Sequence, residues 1–464
     1  MDLIRDRRND MDFQKKFLIV GTGKSGINAG KLLLQKGAEI VFYDDNVSLD
    51  VEKLLAQFDN GAEIKVVLGE INDKILRDID LMVISPGVPI DSPVANVVRE
   101  NNIPIWSEIE LAYQAGAGHL AAITGTNGKT TTTSLVGEIF KRYTGNSFTV
   151  GNIGIPYTEV ALQMDEESYT VAEVSSFQLE TIDEFRPHVS AVLNVTPDHL
   201  NRHYTMENYA SVKLDVCRNQ TEEDFLILNY DDEITKAMAQ DKRVQAKVVY
   251  FSRLHSLEEG VCLSNDAIVI RESGTETRVI DLADLILLGE HNVENYMAGI
   301  AVAYYMGIPM GDIVATLKEF KGVAHRIEYV AEIDGVTYYN DSKGTNPDAA
   351  IKGIQAMNRK TVLIGGGYDK GVSFDDWILA FEGKVKKLIL IGQTAQMIAD
   401  TAAKYGFTDV LFANDLKEAV DMASTEAEAG EAVLLSPACA SWGMFDNYEQ
   451  RGDMFKEFVN QLGA

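Results

Sequence analysis

The stretch HLAAITGTNGKTTTTSLVGEIFKR (119–142) decides the fold class. It opens with an apolar, strand-forming run and ends with the spacing of a helix from about Thr131 to Arg142. Between them stand Gly125, Thr126, Asn127, Gly128, Lys129 and Thr130. A strand feeding a glycine loop that opens a helix is the local pattern of an α/β protein. Gly125 and Gly128 let the chain turn tightly and aim its amides into a concave anion nest. The helix N-terminus adds partial positive charge. Lys129 is placed to reach the β- and γ-phosphates, and the Thr130 hydroxyl to ligate Mg²⁺. The first glycine of a strict Walker A motif would fall on Ile123, so the loop departs from that motif at one point. The expectation is an ATP or GTP site running from Gly125 to Thr131.

Outward from this loop, β-branched runs alternate with helical stretches along the chain. Upstream, strands are expected at 17–20, 38–45, 64–69, 81–85 and 103–107. Downstream of the loop they are expected at 169–174, 189–195 and 224–229, with a β-rich stretch at 247–288 and a helix from about His291. A third series covers 336–341, 360–366, 387–392, 409–413 and 432–436. Boundaries are expected near 107 and 322, giving three α/β domains: residues 1–107, 108–322 and 323–464. The length of 464 residues suits three domains, each able to bury its own core.

The balance of 42 Lys+Arg against 70 Asp+Glu, net −28, repels nucleic acid and acidic membranes. Phosphate binding is therefore expected only in local pockets of backbone amides and a few lysines. Cys217, Cys262 and Cys439 are too few and too scattered for a disulfide framework or a zinc site. No apolar run approaches a membrane span, and the charged start MDLIRDRRNDMDFQKK lacks a signal-peptide core. A cytoplasmic protein is expected, with about the first 12 residues as an extension.

A second glycine loop, GTGKSG (21–26), follows the first strand and opens a helix, with Asp44 and Asp45 closing the next strand. The pattern fits a dinucleotide such as NAD or FAD. It equally fits another ribose diphosphate, with the amides of 21–26 on phosphate and Asp44 or Asp45 on a hydroxyl or base. A ligand-free tight turn also remains open at this point.

Glu173 ends the strand YTVAEV and is a candidate Mg²⁺ ligand of Walker B type. Asp198 and His199, in NVTPDHLNRH (194–203), follow another strand and could face the same cleft. Lys213 lies in ENYASVKLDVCRN, and by its local pattern alone it reads as a solvated lysine on a charged helix. Three polar loops follow strands in the last domain. One carries Asp341, Ser342, Lys343 and Thr345, one Lys370, and one Ser436, Ser441 and Arg451. Arg326 of AHRIE opens that domain, at a hinge where it could meet phosphate. Loops beyond strand carboxyl ends are where ligands bind open parallel sheets.

Taken together, ITGTNGKTTTT, GNIGIP (151–156), EVSSFQLE (173–180), LNVTPDHLNRH (193–203), GEHNVEN (289–295), AHR (324–326), NDSKGTN (340–346), GGGYDKG (365–371) and SPACASWGMFDNYEQRG (436–452) resemble the Mur ligases, in order and over nearly the whole chain. The resemblance implies a Rossmann-like UDP-binding domain, a P-loop ATPase-like central domain and a Rossmann-like amino-acid-binding domain. It also implies ATP-dependent amide bond formation through an acyl phosphate, with UDP-N-acetylmuramoyl-L-alanine, D-glutamate and ATP as substrates in peptidoglycan precursor synthesis. The enzyme would act as a monomer.

On the residues, it implies Gly21, Thr22 and Gly23 on the pyrophosphate, Asp44 or Asp45, Ser85 and Gly87 near the uridine, and Asn152 and His199 on the muramoyl side. Asn292 and Asn295 would lie near adenine or ribose, and Arg326 and Asp341 would meet ATP. Lys343, Thr345, Lys370, Ser441 and Tyr448 would recognise D-glutamate. Two Mg²⁺ ions are implied, on Thr130 and Glu173 and on His199 and Lys213, the latter carbamylated by CO₂. Departures from the family pattern are Arg202 before His203, Gly344 in place of alanine, Tyr448 as the aromatic, and the surroundings of Lys370 in GYDKG.

Overall fold

A computed structural model describes residues 11–58, 63–287 and 289–463. Of the N-terminal extension of about 12 residues, residues 1–10 lie outside the described residues. The chain packs as two compact units, one of Met1–Leu282 with Glu294–Leu317 and one of Ala283–Val293 with Lys318–Ala464.

The first unit holds two sheets. The first has strands β1 (Lys16–Val20), β2 (Glu39–Asp44), β3 (Lys65–Leu68), β4 (Leu81–Ile84) and β5 (Ile105–Ser107), ordered β3-β2-β1-β4-β5. All its neighbours are parallel. Helices cover both faces of such a sheet, so central strands read as unbroken apolar runs. Phe17, Leu18 and Ile19 of β1 are fully buried accordingly.

The second sheet comprises β6 (His119–Thr124), β7 (Ser147–Gly151), β8 (Tyr169–Glu173), β9 (Val189–Val192), β10 (Phe225–Asn229), β11 (Lys247–Ser252), β12 (Gly260–Ser264), β13 (Ala267–Glu272) and β14 (Thr275–Asp281). Its order is β14-β13-β12-β11-β10-β9-β6-β8-β7. It is parallel from β7 to β12, and β12, β13 and β14 form an antiparallel ribbon at its far edge. One continuous core runs from Phe17 and Phe42 of the first sheet through Trp106, Ile109 and Tyr113 to Tyr157, Phe185 and Val192 around the second. The helix Glu108–Ala115 bridges the two sheets. Its buried Glu110 accepts the backbone N–H groups of Asp183, Glu184 and Phe185.

The second unit is built on β15 (Glu328–Ile333), β16 (Val336–Asn340), β17 (Thr361–Gly365), β18 (Val385–Leu390), β19 (Val410–Phe412) and β20 (Ala432–Leu435), ordered β15-β16-β20-β17-β18-β19. Only β15 runs antiparallel.

The sequence pattern omits β7 and β15. Both are edge strands with mostly half-buried residues, so neither shows a buried strand's apolar run. The helix after the phosphate loop starts at Lys129, two residues before the expected Thr131. Gly128, at φ +84, ends the loop in a left-handed turn and leaves Lys129 and Thr130 already helical.

Candidate active site

Parallel strands of the second sheet bring three loops together at their carboxyl ends. The loop after β6 carries Gly125–Lys129. It is tied to the segment after β9 through Asn194 and Thr196, neighbours of the expected Asp198 and His199 that the sequence pattern does not mark. Thr126 N–H donates to the Asn194 carbonyl at 2.9 Å, and Asn127 N–H to Asn194 Oδ1 at 2.8 Å. Asn194 Nδ2 returns a bond to the Asn127 carbonyl at 3.1 Å. Thr126 Oγ1 donates to the Thr196 carbonyl and accepts from Thr196 N–H, at 3.2 and 3.1 Å. Lys129 Nζ donates to the carbonyls of Gly125 and Thr126, each at 2.8 Å.

Lys213 lies in the same place, which overturns its reading as a solvated lysine. It is 1% exposed, and its Nζ donates to the Gly125 carbonyl at 2.7 Å. The helix Met206–Leu214, capped by Thr205, turns Tyr209 and Lys213 inward together at i and i+4. The Tyr209 ring lies 4.4 Å from Lys213 Nζ, and its hydroxyl is 3.3 Å from Thr126 Oγ1. Burial, reinforced by the charge of Lys129, pulls the Lys213 amine down to about 7. The only local signal is the Tyr-x-x-x-Lys spacing within Met206–Leu214.

Glu173 ends β8 opposite Ile123 of β6, one strand from the phosphate loop. It is buried; Oε1 accepts from Asn152 Nδ2 at 2.8 Å, and Oε2 has no hydrogen-bond partner. A buried, unpaired carboxylate oxygen beside a phosphate loop has the character of a hard-cation ligand. The described residues contain no cluster of three or more His, Cys, Asp or Glu suited to a metal. The oxygen donors present, Glu173 Oε2 and the Thr130 hydroxyl, are of the hard type that Mg²⁺ takes when it keeps waters and substrate phosphates as its other ligands.

His199 opens a short helix in left-handed backbone at φ +52. Its half-exposed ring lies 3.4 Å from Asp198 and rests on Phe177, centroids 4.9 Å apart. Thr130 and Thr131 are half-buried in the first turn of the loop helix. Asn295 lies behind that turn. Its Oδ1 accepts from Thr132 Oγ1 at 3.3 Å and stands 2.2 Å from where a side chain on Gly128 would begin. Asn292 is buried on the same helix, Glu290–Tyr305.

The first sheet presents the other glycine loop. Gly21, at φ +97, lies so close to Ser85 that a Cβ would fall 2.7 Å from Ser85 Oγ. Thr22 Oγ1 donates to Asp44 Oδ2 at 2.6 Å, which joins the ends of β1 and β2. Gly23, Asp45 and Gly87 are exposed around them.

In the second unit, the loops after β16, β17 and β20 converge. Asp341 is buried, accepting from Ser436 Oγ at 2.7 Å and from Ile327 N–H at 3.3 Å. Burial pushes its carboxyl up to about 7. Gly344 is explained by this pair, because a methyl there would begin 2.8 Å from Asp341 Oδ2 and 3.0 Å from Ser436 Oγ. Arg451 is fully buried and staples the rim together. It donates to Ser342 Oγ at 2.9 Å, the Ser342 carbonyl at 2.8 Å and the Cys439 carbonyl at 3.1 Å. Lys343 Nζ lies 5.6 Å from the Tyr448 ring. Lys370 Nζ lies 5.4 Å from the exposed Trp442 ring and 3.5 Å from the Thr345 carbonyl. Ser441 is buried at the turn carrying Trp442, and Arg326 is exposed.

Three glycine-rich or lysine-bearing loop systems on three parallel-rich sheets define an ATP-dependent ligase architecture, and this chain belongs to the Mur ligase family. Its residues 15–107 match the Mur ligase MurD-like N-terminal domain, 123–303 the Mur ligase middle domain, and 325–439 the Mur ligase glutamate ligase domain. The chain is 52% identical to the UDP-N-acetylmuramoylalanine–D-glutamate ligase of Lachnospira eligens, over 97% of this chain and 100% of that protein. It is 46% identical to the protein of the same name from Clostridioides difficile, over 97% and 99%. Among solved structures, UDP-N-acetylmuramate-alanine ligase MurC from Thermotoga maritima shares the fold, with TM-score 0.56 and 21% identity over 96% of this chain and 99% of that one.

Proposed function

We propose that this protein is an ATP-dependent ligase that joins D-glutamate to UDP-N-acetylmuramoyl-L-alanine in peptidoglycan precursor synthesis. Full-length identity of 46–52% to ligases of that name supports the substrates. The observation that carries the chemistry is the convergence of Lys129 and Lys213 on one carbonyl, that of Gly125, at 2.8 and 2.7 Å.

In the first step the alanyl carboxylate attacks the γ-phosphorus of ATP, giving an acyl phosphate and ADP. Two anions must meet, and offsetting that repulsion is the main catalytic demand. Lys129 leaves its loop carbonyls for the phosphates and holds charge at the transferring group. The amides of Gly125–Thr131 cradle the rest. The D-glutamate amine then attacks the acyl carbon, the tetrahedral intermediate collapses, and phosphate leaves. Mg²⁺, held by Thr130 and Glu173 and by His199 with carbamylated Lys213, would supply charge neutralisation on the phosphate oxygens. An amine held at about 7 is substantially unprotonated at neutral pH, the form that adds to CO₂.

Gly21, Thr22, Gly23, Asp44, Asp45, Ser85 and Gly87 take the UDP moiety rather than a redox dinucleotide, and Asn152 the muramoyl part. Asn292, Asn295, Arg326 and Asp341 serve ATP. Lys343, Thr345, Lys370, Ser441 and Tyr448 serve D-glutamate, the lysines acting as point charges for its carboxylates. The functional modules are residues 1–107, 108–322 and 323–464, working as a cytoplasmic monomer. No helix among the described residues is long and apolar enough to cross a membrane.

Phosphate release with ATP and Mg²⁺ tests this reading. It should require UDP-N-acetylmuramoyl-L-alanine and D-glutamate together, and L-glutamate should not substitute. Release indifferent to either acceptor would refute the assignment.

A further inference from the structure

A densely built cluster outside the assigned residues lies between the turn after β4 and the segment 198–204. Arg202 is its centre, with its side chain 12% exposed. Nη1 donates to the Pro86 carbonyl at 2.7 Å. Nη2 donates to the Val88 carbonyl at 3.2 Å and to Glu180 Oε2 at 2.6 Å. The guanidinium lies 4.0 Å from the centroid of Phe177, the ring on which His199 also rests. Two residues on, Tyr204 sits at φ +66, an uncommon conformation for a bulky residue, and donates its hydroxyl to Asp91 Oδ2 at 2.6 Å. Segment 198–204 thus grips the 86–91 loop at two points.

The grip has a directional consequence. Peptide bonds here are trans, so the Gly87 N–H points opposite to the Pro86 carbonyl. Arg202 takes that carbonyl, which turns the N–H away from it, on the exposed side of the turn. Among the described residues the Gly87 N–H makes no hydrogen bond, and the space where a Gly87 side chain would stand is open. The turn is closed by Val88 N–H on the Ser85 carbonyl at 2.9 Å, and Ser85 abuts Gly21 of the glycine loop. A guanidinium suits this post because its planar fork can serve two carbonyls and a carboxylate together, which an ammonium does less well.

We propose that Arg202 is a positioning residue for the uridine-diphosphate end of the substrate. It presents the Gly87 N–H to an acceptor on that end and ties the turn to the segment bearing His199. This rests on the substrate reading above.

The test is calorimetric binding of UDP alone and of ADP alone to the wild type, Arg202→Ala, Arg202→Lys and Tyr204→Phe, with steady-state KM for each substrate. Arg202→Ala should weaken UDP binding and raise the KM for the UDP-linked substrate about tenfold or more, while ADP affinity and the KM for ATP change less than about twofold. Arg202→Lys should recover part of the loss. Tyr204→Phe, whose side chain is largely exposed and whose fold is not at stake, should shift UDP binding in the same direction by less. Unchanged UDP affinity in Arg202→Ala, or equal loss of UDP and ADP binding with no recovery by lysine, would overturn the proposal. If Arg202→Ala does not fold, the lysine and Tyr204 variants decide alone. A wild type that binds UDP but does not ligate would refute the ligase reading and leave the UDP-binding role of Arg202 to be judged on the binding data.

Discussion

Replacing Lys213 by methionine should make the protein more stable and inactive at once. An amine held at about 7 instead of its ordinary 10.5 disfavours the folded state when the unfolded chain is protonated. At 1.36 kcal/mol per tenfold change in proton affinity, the penalty at pH 6 is about 4–5 kcal/mol. Lys213 is 1% exposed, so solvent screening takes little from that figure. Against it stand the lost bond to the Gly125 carbonyl, about 1 kcal/mol, and the lost contact with the Tyr209 ring, about 1 kcal/mol. The Gly125 carbonyl is not orphaned, because Lys129 also donates to it. Methionine keeps most of the buried volume. The net gain expected at pH 6 is about 2–3 kcal/mol. The sign follows from proton binding: between pH 7 and 10.5 the unfolded chain holds a proton that the folded one does not. Wild-type stability therefore rises with pH across that window, and the advantage of the variant, full below it, fades through it. Urea or thermal unfolding of the first transition at pH 6, 8 and 9.5, in metal-free buffer purged of CO₂, measures the difference; phosphate release measures activity. A variant no more stable at pH 6, or with the same pH slope as wild type, would refute a buried amine of lowered proton affinity. An active variant would remove Lys213 from the site.

Three other outcomes are expected. Gly128→Ala places a methyl 2.2 Å from Asn295 Oδ1 in a backbone at φ +84; ATP affinity measured by calorimetry should fall at least about tenfold, and an unchanged affinity would mean the loop tolerates rearrangement. Asp341 is held at about 7, above its usual range, so it weakens the folded state increasingly as pH rises from about 4 to 7; Asp341→Asn should flatten the pH dependence of unfolding in that window, and an unaltered slope would contradict it. Trp442 is 56% exposed while Trp106 and Trp377 are 7% and 0% exposed, so acrylamide should quench mainly Trp442. D-glutamate, added with the UDP-linked substrate and a non-hydrolysable ATP analogue, should reduce that quenching if Lys370 and its surroundings take the amino acid. Equal quenching with and without it would argue against that placement.

Much of the fold was legible because most strands are buried on both faces and therefore appear as continuous apolar runs. The two strands that escaped, Ser147–Gly151 and Glu328–Ile333, sit at sheet edges, where half-burial leaves no such run. The phosphate loop was legible because a glycine turn entering a helix is local chemistry. Lys213 was not, because its meaning depends on which face of a nine-residue helix is buried, and that is decided by contacts with a loop 88 residues away in sequence. Asn194 and Thr196 escaped for the same reason. Arg451 looked like one of several polar flanks, and only the fold shows a guanidinium fully buried on three backbone and hydroxyl acceptors.

The mutual bonds between Gly125–Asn127 and Asn194–Thr196 have a dynamic consequence. Neither segment can swing out without breaking the other's hydrogen bonds, so amide hydrogens in both should exchange through a single shared opening, though they lie about 70 residues apart in sequence. Nucleotide then meets a loop already frozen in shape, and little of its binding free energy is spent on ordering the backbone.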